Sequence, residues 1–295
     1  MTDQSLPAPA PPGLFRTMWN SIALLRESRV GMFGAALLAF WVILAILAPI
    51  LPLHDPNVHM VREPLGPFST SPEGFTHWLG TDPKGRDMLS RLIWGAQLVL
   101  LWSTLATLVA YVVGIMLGLA AGYLGGWWDE IISFVANVLL SFPLMVLYLV
   151  IITYLGSSGL NVIIAVTFAT GPAIMRIVRG LVLDLKTRDY VAAAQVRGES
   201  ALYIMLVELL PNARGPLIVD SCLRLGYTTI TIALLGYLGI GLPPPDPDWG
   251  KMIAEAQPLG SYGANGAIWP AIAISTLVLG LNMLADGLRE ISIRD

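Results

Sequence analysis

Charged residues are not spread along this chain; they are gathered between long stretches that lack them. Stretches without Asp, Glu, Lys or Arg run from Val30 to about Leu53, from Leu92 to Trp128, from Ile131 to Met175, from Leu225 to Pro245, and from Ala256 to Ala285. A helix that crosses a bilayer needs about 20 predominantly apolar residues, because in hydrocarbon every backbone group must be paired within the segment. The stretch from Ile131 is too long for one crossing, and the turn residues Gly156–Gly159 divide it. Six helices are therefore expected, at about 31–53, 97–123, 130–155, 160–182, 213–240 and 266–288. The first is expected to remain as a span, because its apolar run exceeds a signal peptide's h-region and ends at Pro49 and Pro52 without a small-residue cleavage site.

Composition agrees with the pattern. Only 13% of the 295 residues are charged and 55% are hydrophobic, whereas soluble domains carry about 25% charged residues. A soluble fold could not cover its surface with so few. The net charge of −3 offers no basic face for nucleic acid, a single cysteine excludes an internal disulfide framework, and three histidines leave little room for a His-rich metal centre. Most of the 17 Lys and Arg residues fall on one side if the N-terminus is cytoplasmic. The positive-inside rule then places both termini in the cytoplasm.

The segments between the spans differ in character. Residues 1–30 form a Pro/Ala-rich tail expected to be a disordered cytoplasmic extension, and 31–295 form the six-span domain. The first outer loop, 54–96, closes with Gly85–Trp94, which reads as an interfacial amphipathic helix turning Met88, Leu89, Leu92, Ile93 and Trp94 to lipid. The prolines of the stretch LPPPDPDWG (242–250) forbid continued helix, and Lys251–Ala256 is expected as a short surface helix. The longest inner segment, 183–212, reads as two short helices, Asp189–Val196 and Ala201–Leu210, with Gly198 at the joint and Pro211 as the stop. On periodicity alone, this loop is equally a helical connection with no further role or a docking element.

At this loop the chain resembles the membrane subunits of bacterial ABC importers. Their loop carries EAAxxxG, nine residues, then an apolar position, x and Leu-Pro; here Ala192-Ala193-Ala194-Gln195-Val196-Arg197-Gly198 is followed at that spacing by Glu208-Leu209-Leu210-Pro211. Ala192 stands where the family has glutamate, and Glu208 where it has an apolar residue or histidine. Further motifs resemble the C-type permease of the dipeptide/oligopeptide group: HWLGTDPKGRDMLSRLIWGAQ at 77–97, LPNARGPLIVD at 210–220, LLGYLGIGLPPPDPDWGKMI at 234–253 and LNMLADGLRE at 281–290. The third span departs from that group, which often carries Met-Arg and Asp where Ser133, Phe134 and Asn137 stand.

The resemblance implies an all-α membrane protein with the type I ABC importer permease fold and a cytoplasmic coupling-helix loop. It implies a bacterial inner-membrane pore subunit, not an enzyme, for di- or oligopeptides, or for another cargo such as glutathione, a metal chelate or a sugar. Its implied partners are a homologous B-type permease, two ATP-binding subunits and an extracytoplasmic substrate-binding protein. No P-loop sequence occurs, so ATP and Mg would sit on those partners and this chain would hold no cofactor and no metal. The docking residues implied for the loop are Tyr190, Val191, Ala192, Ala193, Ala194, Val196 and Gly198.

Intramembrane polar residues are functional candidates by default. Asp220 and Arg224, four apart on the fifth span, have ion-pair spacing. Asn137, Asn282 and Asp286 are candidates to face the bundle interior, the last close enough to the surface to be solvated. Gly114, Gly118 and Gly122 form a GxxxGxxxG run that favours close helix packing, either within the chain or against another subunit. Trp102, Met145 and Tyr148 are candidates to line a pathway or simply to pack. An intramembrane protease would need paired aspartates or a Ser/His site at depth; all three histidines lie in the first outer loop. An autonomous channel or secondary transporter would need no docking loop.

Overall fold

The computed structural model describes residues 28–59, 61, 63–243, 245–257 and 264–292. The proposed N-terminal tail lies almost wholly outside them. Helix α1 spans Arg29–Leu47, with the Ser28 hydroxyl accepting from the Gly31 N–H at 3.2 Å. It ends earlier than expected, with Ala48 as its cap and Pro49, two residues beyond Leu47, preventing continuation. Strands β1 (Ser69–Thr70) and β2 (Thr76–His77) make a small antiparallel hairpin in the outer loop, Ser69 opposite His77. Helix α2 runs from Met88 to Leu119 and continues as a π-turn over Ala120–Leu124. Its first turns are not an interfacial helix facing lipid: Met88, Leu92 and Ile93 are buried. The Asp87 carboxylate caps this helix on the Ser90 N–H at 2.8 Å, so the span simply begins nine residues before the position its hydropathy suggested.

The expected third span is broken. Helix α3 (Gly126–Ser141) and α4 (Leu144–Leu155) meet at an angle of 94°. Pro143 forces the preceding Phe142 into extended backbone (φ −80°, ψ 140°), and an apolar sequence could not reveal the bend. Helix α5 (Gly159–Leu185) follows, then α6 (Asp189–Val196), α7 (Ala201–Tyr203) and α8 (Leu210–Tyr237). Pro211 does not stop the second loop helix. A π-turn over Ile204–Leu209 joins α7 to α8, its Leu210 N–H bonding to the Met205 carbonyl five residues back. That register shift accommodates a residue with no N–H to donate. Helices α9 (Trp249–Ala256) and α10 (Ala264–Ser292) complete the fold. Among the described residues, five helices are long and apolar enough to span a membrane, six if α3 and α4 count as one.

Two glycine-mediated pairs set the topology. The GxxxGxxxG face of α2 packs on α5 inside this chain: Gly114 meets Ile174, Gly118 meets Val178 and Gly122 meets Val182. Both series ascend together, so α2 and α5 run parallel. A chain that leaves α2 and returns parallel must cross the membrane once between them, which assigns the bent α3–α4 pair that crossing. Helix α1 packs on α10 in the opposite sense: Gly34 lies against Met283 and Leu284, while Gly280 lies against Leu37. The Arg29 end of α1 and the Arg289 end of α10 therefore lie on the same side. The main core gathers residues of α2, α4, α5, α6 and α8; a second links α1, α2, α9 and α10.

Candidate functional site

The loop between α5 and α8 is built as a rigid hairpin. Arg197 closes α6, and Gly198 follows at φ +78°. The Gly198 N–H bonds to the Gln195 carbonyl (3.0 Å) and the Glu199 N–H to the Ala194 carbonyl (3.2 Å). These two bonds form a Schellman motif, which requires a left-handed residue where glycine avoids the Cβ clash. Ser200 then caps α7 by accepting from the Tyr203 N–H at 3.2 Å. Glu208, unexpected at its position, is matched within the loop: Arg197 Nη2 lies 3.1 Å from its carboxylate and Arg197 Nε 3.6 Å from Glu199. The departure from the family pattern thus carries its own partner. Lys186 Nζ donates to the Gly122 carbonyl at 3.0 Å, tying the hairpin's root to the end of α2.

The seven loop residues singled out from the sequence divide into two faces. Val191 and Ala194 are fully buried in the main core and hold α6 against the bundle. Ala192, Ala193, Val196 and Gly198 are exposed, Val196 by 89%. Tyr190 is half-buried against the core, and burial pushes its phenol pKa up. Its hydroxyl has no hydrogen-bond partner among the described residues. The exposed face thus carries two alanine methyls and one valine, with Gln195 and Arg197 beside them and a glycine turn at its end.

Asp220 and Arg224 pair as the spacing suggests, Nε to Oδ2 at 2.7 Å. A third member, Tyr111 of α2, donates its hydroxyl to the same carboxylate oxygen. Sequence spacing reveals the i,i+4 pair but not a partner 109 residues away. The triad neutralises a charge pair at membrane depth and clamps α8 to α2. Of the other candidates, Tyr148 is buried, Trp102 covers Gly159, Met145 is exposed, Asn282 bonds to the Val278 carbonyl of its own helix, and Asp286 is exposed.

A second intramembrane polar group was only partly visible in the sequence. Arg179 of α5 makes a two-pronged ion pair with Asp129 of α3, at 2.5 and 2.6 Å, and Ser133 donates to the same carboxylate at 2.9 Å. Arg176, one turn earlier, donates to Asn137 Oδ1 at 2.5 Å. Asn137 therefore faces α5 at the surface of the isolated chain and not the bundle interior. An open cleft of about 520 Å³ lies along this edge.

At the opposite end, the 54–96 loop is locked onto α9 by a largely buried charge network. Arg86 joins Asp82 (Nε to Oδ2, 2.6 Å) to Glu255 of α9 (Nη2 to Oε2, 2.5 Å), and Lys84 reaches Glu255 at 2.9 Å. His77 Nδ1 lies 2.8 Å from Asp87. Trp249 sends its indole N–H to the Leu92 carbonyl at 3.0 Å, over Gly95, where a side chain would collide with the ring. Burial raises the Glu255 pKa, but Lys84 and Arg86 outweigh it and hold the carboxyl below its ordinary range. Asp248, capping α9 through the Gly250 and Lys251 N–H groups, is pushed up to about 6 by burial despite those donors. The 77–97 motif is thus a fastening between outer loop and α9. Among the described residues no cluster of His, Cys, Asp or Glu is placed to hold a metal ion.

Comparison with known proteins agrees with this architecture. Residues 114–295 match the family model described as binding-protein-dependent transport system inner membrane component. The chain is 33% identical over 267 residues to the dipeptide transport system permease protein DppC of Alkalihalophilus pseudofirmus, covering 90% of this chain and 86% of that one. It is 36% identical over 282 residues to the glutathione transport system permease protein GsiD of Escherichia coli, covering 95% and 91%. Among solved structures, a chain of the inward-facing MetNI methionine ABC transporter superposes with a TM-score of 0.57 at 20% identity, covering 70% of this chain and 97% of that one.

Proposed function

Because this chain belongs to the family of binding-protein-dependent transport system inner membrane components, we propose that it is one half of the pore of an ATP-driven importer for dipeptides, glutathione or closely related short peptides. It is a multi-pass inner-membrane permease of the ABC class with the type I fold. The peptide-class cargo rests on relatives named for dipeptide and glutathione transport that cover most of this chain. The partners are a homologous B-type permease, two ATPase subunits that hold ATP and Mg, and an extracytoplasmic binding protein that selects the solute. The termini and the α6–α7 hairpin face the cytoplasm.

The observation that carries the reading is the division of α6. Val191 and Ala194 are sunk in the main core, while Ala192, Ala193 and Val196 present a small-residue face to solvent. A short helix with that division transmits force in both directions: its exposed face seats in a groove on the ATPase, and its buried face moves the packed bundle. The docking residues are Ala192, Ala193, Val196 and Gly198, with Val191 and Ala194 as anchors and Tyr190 packed behind them against the core. Closure of two ATPases on ATP pushes the hairpins together and re-tilts the spans, an alternating-access motion driven from outside the membrane.

Co-expression with the two ATPases and the second permease tests this. The complex is expected to co-purify and to take up solute only with ATP and binding protein. Val196→Glu removes no internal contact of an almost fully exposed residue, and is expected to abolish ATPase co-purification while the chain still folds. Retained association and uptake in Val196→Glu would sink the docking assignment; ATP-independent transport by the chain alone would sink the importer reading.

A further inference from the structure

Helix α3 exposes two surfaces of opposite character. Asp129, Ser133, Asn137 and Ser141 recur every four residues and form one polar edge, while Ile131, Val135 and Val138 form an exposed apolar face turned away from it. The apolar face suits lipid. The polar edge does not: it runs through most of a transmembrane helix, and ionisable groups at such depth face a bundle interior or a water-filled cavity. In this chain the edge is not interior. Asn137 and Ser141 are exposed, and so is Arg176, which faces the edge from α5.

The two arginines beside this edge differ. Arg179 is neutralised by its two-pronged pair with Asp129, itself supported by Ser133. Arg176 has only the neutral amide of Asn137, and among the described residues no carboxylate lies within ion-pair distance of it. A guanidinium holds five donors and one contact occupies one of them. Arg176 is thus a cation with free donors, oriented by Asn137, on an open edge of the α5 span.

We infer that the α3–α5 edge lines the solute pathway, and that Arg176 is a station for the carboxylate of the passing solute. Peptides and glutathione each carry a carboxylate, which a guanidinium fork binds through paired N–H···O bonds. Arg179 is left out of this role because Asp129 already occupies its fork. The inference rests on the importer reading above and deepens it by placing one substrate group against one residue. Lipid is the less favourable occupant, because Arg176 and Asn137 would then face hydrocarbon.

The test uses the assembled complex in proteoliposomes, with Ser141→Cys as reporter in a Cys222→Ser background. Among the described residues the Ser141 hydroxyl bonds only to its own helix, through the Val138 carbonyl, so the reporter breaks no contact between helices there. Sulfonate-bearing and trimethylammonium-bearing methanethiosulfonates are applied, each rate normalised to that with free cysteine. Both are expected to react, with the anionic reagent favoured about tenfold. Arg176→Gln is expected to erase that preference without impairing assembly. In the same complexes, uptake of dialanine or glutathione, whichever the wild type imports, is expected to fall at least tenfold in Arg176→Gln. It should recover largely in Arg176→Lys, with binding-protein-stimulated ATP hydrolysis unchanged.

Labelling only by membrane-permeant maleimide would mean a lipid-facing edge and overturn the inference. So would labelling in the isolated chain that assembly abolishes, which would make the edge an interface with the second permease. An anion preference or an uptake that is indifferent to Arg176 would overturn it as well. A wild-type complex that assembles and hydrolyses ATP but imports neither probe would count against the peptide cargo alone, and the labelling rates would still decide the pathway.

Discussion

A Cβ placed on Gly118 would lie 2.5 Å from the Cβ of Val178. The absence of that one atom lets α2 and α5 approach so closely that both contribute to a single core, on which the α6 hairpin sits. Gly118→Ala should force the helices apart or strain the valine, costing about 1–3 kcal/mol, the usual range for an overpacked core. Thermal unfolding of the purified protein in detergent checks this. Val178→Ala keeps the Cβ of closest approach but removes the Cγ1 at 2.8 Å, so the double variant should recover only the part of the loss that this branch causes; additive losses would place the whole penalty on the Val178 Cβ and the Met175 carbonyl.

Gly198 calls for a different substitution logic. Nothing lies within 4 Å of the position a Cβ would take, so side-chain bulk is not the constraint there. The constraint is its φ of +78°, which costs an L-residue about 1–2 kcal/mol. Gly198→Val should therefore distort the Schellman turn and uncouple ATP hydrolysis from uptake. Gly198→Asn, which tolerates the left-handed region, should retain most coupling. Equal effects from both replacements would point to the ATPase contact rather than the backbone.

The Tyr111–Asp220–Arg224 triad predicts a non-additive series. Arg224→Gln leaves a carboxylate at membrane depth with one hydroxyl donor, and Asp220→Asn leaves an unpaired guanidinium. Each should destabilise by about 1–3 kcal/mol, below the full cost of breaking a buried pair because both side chains retain some exposure. The double variant should be more stable than either single one, since it leaves no uncompensated charge. Thermal unfolding of all four proteins measures the coupling.

The span count, the hairpin between the fourth and fifth spans and the Asp220–Arg224 pair were legible in the sequence because each is local: hydropathy over 20 residues, a glycine at a joint, a spacing of four. Three features were not. Pro143 marks a break, but a proline in an apolar stretch does not state its angle, and the 94° bend depends on what α3 and α4 pack against. Pro211 reads as a helix stop by its missing N–H, yet a π-turn absorbs it. The Gly85–Trp94 segment has the composition of an interfacial helix, but its Met88 and Leu92 are buried in the core with residues of α1, α9 and α10. The Arg176–Asn137 contact and the Arg86–Glu255 bridge join residues far apart in sequence, and no periodicity links them.

Asp248 gives the outer fastening a pH dependence whose sign is fixed. Its carboxyl is pushed up to about 6 in the folded chain, against about 3.9 in an unfolded one. Between those values the folded chain binds more protons, so stability falls as pH rises from about 4 to 6 and levels off above. The loss is on the order of 2–3 kcal/mol at full ionisation. Glu255 acts in the opposite direction because its pKa is lowered, so the wild-type profile mixes both. Asp248→Asn isolates the first effect: its amide oxygen can still accept from the Gly250 and Lys251 N–H groups at the start of α9, while its charge is gone. The variant should match the wild type in Tm near pH 4 and exceed it increasingly up to about pH 6.5. A difference in Tm that stays constant across that range would show that Asp248 does not titrate in this window.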